Sequence, residues 1–260
     1  MLPRRGIVFS KLTRAPWLIA AVLFFAPADL LAEQSRSSVL VREEVSPAHR
    51  EQLSKRLRKI TGLPGLRFDS DGALRLTPDV FAGGSETARR LLIDSVSGRK
   101  LIVIEEANDS SQVAFCRVVP GQWRGNFAAA PPVFVVQIDF ADFDQLVGDD
   151  RALESFNPGW GLLHELDHVV HDSSDATAID ETGECESHLN QMRRECNLPA
   201  RVSYFFTLLP VKTETPFITR LVRLAFEERQ PPANKMKRYW IVWDAKAVGG
   251  LEQNQVAALR

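Results

Sequence analysis

What this sequence has little of narrows the possibilities quickly. Its three cysteines, Cys116, Cys185 and Cys196, are too few for a stapled disulfide scaffold, so stability must come from an apolar core. It has no charge excess either. The 32 Lys and Arg stand against 33 Asp and Glu with no block of one sign, which argues against a nucleic-acid partner. No segment after the N-terminal region reaches the roughly 18 to 20 apolar residues of a spanning helix. Repeats and low-complexity tracts are lacking. With 260 residues, 45% of them apolar, the chain can bury a sizeable core as one large domain or two small ones.

The N-terminus is different in kind. Arg4, Arg5, Lys11 and Arg14 precede an uncharged, mostly apolar run of 14 residues, Ala15 to Ala28, too short to span a bilayer. Ala26 and Ala28, or Leu30 to Ala32, supply a small-residue cleavage pattern. Residues 1–32 are therefore expected to be a secretory signal peptide. The alternative is an uncleaved anchor, which would then be the chain's membrane contact. Cleavage removes four basic residues and one acid, leaving 28 basic against 32 acidic and a mature formal charge of −4. The product is expected to be secreted or periplasmic.

Residues 33–260 read as a single α+β domain, with a β-rich part over 39–157, a helical part over 158–200 and a C-terminal part over 201–260. Val39 to Val41 begins a strand. Ser46 and Pro47 cap a helix with Leu53, Leu57 and Ile60 on one face, ended by Gly62 and Pro64. Leu66 to Phe68 and Ala73 to Leu76 flank a turn and predict a hairpin. Ser85 opens a helix closed by Gly98. Strands follow at Leu101 to Glu105, Gln112 to Val119 and Val133 to Phe140. Gly159 to Asn197 is helical with one break, Thr213 to Arg229 carries an amphipathic pattern, and Tyr239 to Trp243 is a last strand. Gly249 and Gly250 suggest a turn beyond it. Strands followed by helices favour an α+β fold with the chemistry at the seam.

Four of the five histidines, His164, His168, His171 and His188, fall within 25 residues. The first two belong to His164, Glu165, Leu166, Asp167, His168, which is HExxH. Residues four apart on a helix share a face, so two imidazoles can reach one metal ion while Glu165 lies beside them to meet its water. Projection at about 100° per residue gathers Leu162, Leu163, Leu166, Val169 and Val170 on one side. Trp160, His164, Glu165, His168 and His171 fall on the other. His171 lies about 10.5 Å along the axis from His164, too far to share an ion bound at about 2.0–2.1 Å. It is a rim group. The next helix offers Glu184 and Glu186, and an apolar stripe of Cys185, Leu189, Met192 and Cys196. Its two cysteines, about 16.5 Å apart, cannot pair.

Over His164 to Leu198 the sequence resembles the zincin metallopeptidases of the gluzincin type, in which a glutamate from a following helix completes a two-histidine zinc site. The resemblance implies a zincin-like fold, with a mixed or antiparallel sheet against the HExxH helix and a second, glutamate-bearing helix. It implies Zn2+ held by His164 and His168, with Glu165 as general base. The third ligand is Glu186 or Glu184. Glu186 is preferred because Asn190, one turn on, can orient a ligand histidine; for Glu184 the corresponding neighbour is His188. A carboxylate between Thr182 and Glu195 should therefore approach both rings.

The implied activity is hydrolysis of a peptide or protein substrate through a metal-bound water, with His188 and Tyr204 as candidate oxyanion donors. Val133 to Phe140 is the candidate edge strand for an extended substrate, or else an interior strand, being apolar on both faces. Two further readings stay open. One is an exported binding or scaffold protein with a structural metal; the other is a domain that holds no metal.

Overall fold

A computed structural model describes residues 37–77, 80–108, 110–122, 130–179, 181–209, 220–232 and 234–248. The expected signal peptide and Gly249 and Gly250 lie outside them. In chain order, β1 (Val39–Val41) is followed by α1 (Pro47–Thr61), whose N-cap Ser46 accepts the His49 N–H. The hairpin β2 (Arg67–Phe68) and β3 (Leu74–Arg75) comes next, then α2 (Glu86–Ser97), capped by Ser85. These follow the expected boundaries closely.

The first sheet is completed by β4 (Leu101–Glu106), β5 (Cys116–Pro120) and β6 (Val133–Ile138), in the order β1-β4-β6-β5. Strands β1, β4 and β6 are parallel, and β5 runs antiparallel to β6 at the margin. Strand β6 is thus interior, between Val103 of β4 and Val118 of β5, and β5 is the edge strand beside it, with β1 at the other edge. Of the two readings of Val133 to Phe140, edge or interior, the interior one holds. A run apolar on both faces suits a strand covered on both sides.

Two short helices follow, α3 (Phe140–Asp144) and α4 (Asp150–Ser155), with β7 (Val147–Gly148) between them. The long helices α5 (Pro158–His171) and α6 (Gly183–Glu195) come next. The chain then forms β8 (Ala200–Arg201), β9 (Thr207–Leu208), β10 (Leu221–Gln230) and β11 (Lys235–Asp244). These build a second, antiparallel sheet, β7-β11-β10-β8, with β9 also on β10. The fold is α+β with one mixed and one antiparallel main sheet.

Where it is described, the segment Thr213 to Arg229 is strand rather than amphipathic helix. Val222, Leu224 and Phe226 are buried on alternate positions opposite Trp243, Ile241 and Tyr239 of β11, a period of two that burial selects over the helical spacing. Residues 213–219 lie outside the described set. Among the described residues no helix is long and apolar enough to cross a membrane.

Helix α5 is the hub, packed on α1, α2, α6, β5 and β6. Its surroundings explain a second departure from expectation. Trp160 was assigned to the polar side but is fully buried, its indole N–H donating to the Glu154 carbonyl at 2.9 Å. A helix enclosed on most sides buries more than its apolar stripe.

Candidate metal centre

Helix α5 begins at Asn157, whose side chain accepts the Gly159 N–H, with Pro158 in the first turn. Leu162, Leu163, Leu166 and Val169 anchor its apolar face in the core. That anchoring leaves His164, Glu165 and His168 toward β5 and α6. One turn before Glu165, Gly161 lets β5 close in: a Cβ there would lie 2.6 Å from Cys116 Sγ. Glu165 is buried, and the Val118 backbone N–H of the edge strand donates to its carboxylate. Burial raises its pKa against the pull of the two imidazoles.

The two histidines do converge. His168 Nδ1 donates to the Ser173 carbonyl at 2.7 Å, so its Nε2 is a bare acceptor when the ring is neutral. The Cys185 thiol reaches the His164 carbonyl at 3.4 Å. His164 Nδ1 then directs its hydrogen toward Cys185 Sγ at 3.3 Å and the Glu186 carboxylate at 3.6 Å. This leaves His164 Nε2 bare as well, 3.1 Å from His168 Nε2. The third member is Asp175 Oδ1, 3.1 Å from His164 Nε2 and 3.5 Å from His168 Nε2, buried and accepting no hydrogen bond.

Three lone-pair atoms facing one another need a cation or extra protons between them. Their separations match the edges of a zinc tetrahedron, about 3.3 Å for bonds of about 2.0–2.1 Å. Without an ion, the acidic neighbours favour the charged form of both imidazoles. Although burial opposes it, the Asp175 carboxylate and Cys185 sulfur push His168 up to about 11. His164 is likewise held well above its ordinary value, and Asp175 well below its own despite burial.

Asp175 is fixed by the loop between the helices. The loop docks on the first turn of α6 through the Asp175–Gly183 bridge and the Glu184 and Cys185 N–H groups, which donate to the Ser174 carbonyl at 3.0 and 3.2 Å. Gly183, at φ 77°, permits that contact, since a Cβ would sit 2.4 Å from Ala176 N. Tyr204 then donates its hydroxyl to Asp175 Oδ2 at 2.8 Å and stacks its ring near His164.

Several expectations are thereby corrected. Glu186 reaches His164 only on the Nδ1 side, and both its oxygens are held by guanidinium groups, Arg193 on Oε1 and Arg201 on Oε2. Those two cations keep its pKa well down despite complete burial. It stands on the Nδ1 side of His164 and does not approach both rings, which a carboxylate between Thr182 and Glu195 was expected to do. Asn190 orients Arg193 and the Arg201 backbone rather than a ligand histidine. Glu184 is exposed. His188 bonds Asp167 Oδ2 at 2.9 Å and does not join the His164 group. Tyr204 spends its hydroxyl on Asp175, which makes it an orienting group rather than an oxyanion donor. Cys185, expected only to pack in the core, is buried but also touches His164 and counts with His164, His168 and Asp175 among groups that could hold an ion.

Asp175 lies on a loop, where no helical or strand periodicity singles it out. The available signal was the loop itself, Asp172 to Asp175, seven residues past His168 and within easy chain reach of both rings.

Beside the centre lies a cavity of ≈ 100 Å³ lined by His164, Glu165, Phe115, Phe143, Phe156, Trp160 and Trp243 among others, with Arg193 and Arg201 also in its wall. Its character is apolar with a charged end. No family model, curated protein or solved structure matches this chain, so a functional reading rests on the site's own geometry.

Proposed function

We propose that this chain is an exported zinc-dependent hydrolase of peptide bonds with a zincin-like arrangement, in which His164, His168 and Asp175 hold the metal. The supporting observation is the partly buried triangle of two bare imidazole nitrogens and an unbonded carboxylate oxygen, sized for zinc. Asp175 replaces the helix glutamate of the gluzincin pattern. When bound, zinc acidifies water and polarises a carbonyl.

The chain's own residues do the rest. Glu165, one residue from His164 in a water-poor site, accepts the attacking water's proton and returns it to the leaving amine. Glu186 and Ser173 fix the two imidazole orientations from behind. The edge strand β5, already bonded to Glu165 through Val118, offers main-chain groups to an extended substrate, and the aromatic cavity beside it accepts an apolar side chain.

The test is Glu165→Gln in the tag-free mature chain, measured for zinc content and for hydrolysis of a quenched peptide library. The variant is expected to keep its zinc and lose about 10²- to 10⁴-fold in turnover. Turnover equal to wild type, or no hydrolysis of any library member by the zinc-loaded wild type, overturns the proposal.

One observation favours a second reading. Cys185 stands close enough to complete a closed four-ligand set with His164, His168 and Asp175, the mark of a structural rather than catalytic site. Cys185→Ala separates the two. An open site retains its zinc in this variant, whereas a closed one loses it.

A further inference from the structure

Asp167, inside the HExxH segment, is fully buried, yet none of its hydrogen bonds serves the His164 centre directly. Its Oδ1 accepts His171 Nδ1 at 2.6 Å, and its Oδ2 accepts His188 Nδ1 at 2.9 Å and the Ser173 hydroxyl at 2.6 Å. His171 stands on the last turn of α5 and His188 on α6, so one carboxylate gathers imidazoles from two helices. The rings lie 5.7 Å apart at 80°, and the side chains are 41% and 38% exposed. Both Nδ1 atoms point at Asp167, so an ion held by all three residues takes the place of the Nδ1 protons, with each ring in its Nε2–H tautomer. One ligand atom from each of the three residues falls within 4.8 Å of the others.

We propose that Asp167, His171 and His188 form a second divalent-metal site, separate from the His164 centre and facing solvent. Two imidazoles and a carboxylate suit zinc, copper or nickel and discriminate against calcium and magnesium, which prefer all-oxygen shells. Half-exposed ligands leave water on the ion, so this site binds more weakly than the more buried one. An ion there clips the end of α5 to α6. Through Ser173, whose hydroxyl holds Asp167 and whose carbonyl holds His168, it also steadies the loop that carries Asp175. The inference does not depend on hydrolase activity.

The experiment is a zinc chloride titration of the full, metal-free, tag-free chain, with free zinc buffered by a competing chelator. Two zinc ions per chain are expected, in a tight and a weak class. His188→Ala removes the weak class alone and His164→Ala the tight class alone. Saturation of wild type at one ion, or two ions in both His171→Ala and His188→Ala, overturns the site, as does equal filling of the weak class by calcium chloride. A measurement on wild type guards against misfolded variants. Diethylpyrocarbonate modification of His171 and His188 should slow about tenfold at free zinc ten times the weak Kd. No slowing refutes the proposal.

Discussion

The pair Glu186→Gln and Asp175→Asn separates a brace from a ligand. Glu186, fully buried, lies between two guanidinium groups, Arg193 at about 1% exposure and the partly buried Arg201. Neutralising it removes the carboxylate that both Arg193 and Arg201 are paired with. Breaking a buried pair from one side costs about 3–5 kcal/mol, because the partner's desolvation is no longer offset. For a domain of this size each kcal/mol moves Tm by about 2–4 °C, so a fall of about 10 °C is expected for Glu186→Gln. Its zinc affinity should fall only by the 10- to 100-fold typical of an orienting partner. Asp175→Asn is the contrasting case. It keeps an acceptor for the Tyr204 hydroxyl but removes the carboxylate that faces both imidazoles, so metal-free Tm falls as well, and the abolition of tight zinc binding is what marks it as a ligand. Thermal melts of the chelated proteins, with zinc affinity by competition, read both quantities. If Glu186→Gln folds normally yet loses its zinc, or Asp175→Asn retains wild-type affinity, the third ligand has been misassigned.

Three further predictions follow from the packing. Gly161→Ala drives a Cβ toward Cys116 Sγ at 2.6 Å and should destabilise by about 1–3 kcal/mol while displacing β5 from Glu165; urea unfolding and turnover should fall together. Gly183→Ala combines a left-handed backbone, which costs an alanine about 1–2 kcal/mol, with a collision on Ala176 N, and should weaken zinc binding by dislodging Asp175. Unchanged affinity in that variant contradicts the bridge's positioning role. Glu195 holds the start of α2: despite some burial, hydrogen bonds from Ser85, Thr87 and Gln191 lower its pKa from 4.5 to about 2. The folded pKa is depressed, so this stabilisation is complete above about pH 4.5 and is lost as pH falls through about 2. Solvent screening of the exposed side chain limits it to about 1 kcal/mol, and Glu195→Gln should flatten that part of the stability curve.

Much of the architecture was legible because local rules and burial agree. Ser46 with Pro47, and Ser85, mark helix starts by side-chain chemistry that needs no tertiary partner, whereas the Asn157 cap and Pro158 went unread. The HExxH pair was legible for the same reason, since helical spacing alone puts His164 and His168 on one face. What failed or stayed open depended on contacts made at long range. Strand β10 looks amphipathic at either period until β11 supplies a partner. The interior place of β6 depends on where β5 folds back, and Glu186 keeps to the Nδ1 side of His164 beside Arg201, which arrives from a later strand. Asp175 belongs to the same class. A loop residue acquires its address from two docked helices and a tyrosine 29 positions on, none of which a periodicity can register.

Arg201 belongs to β8, paired with Phe226 of β10, and it grips both Glu186 and the Tyr204 carbonyl. Three residues on, the Tyr204 ring and hydroxyl meet His164 and Asp175. The ion-binding cleft is thus moored to the C-terminal hairpin at two points, and thermodynamic reciprocity carries the load both ways. With zinc held as proposed, whatever loosens that hairpin is expected to weaken the hold on it, and loading zinc to quiet amide exchange in strands that never touch it. Metal occupancy becomes a gauge of how firmly the distal sheet is closed.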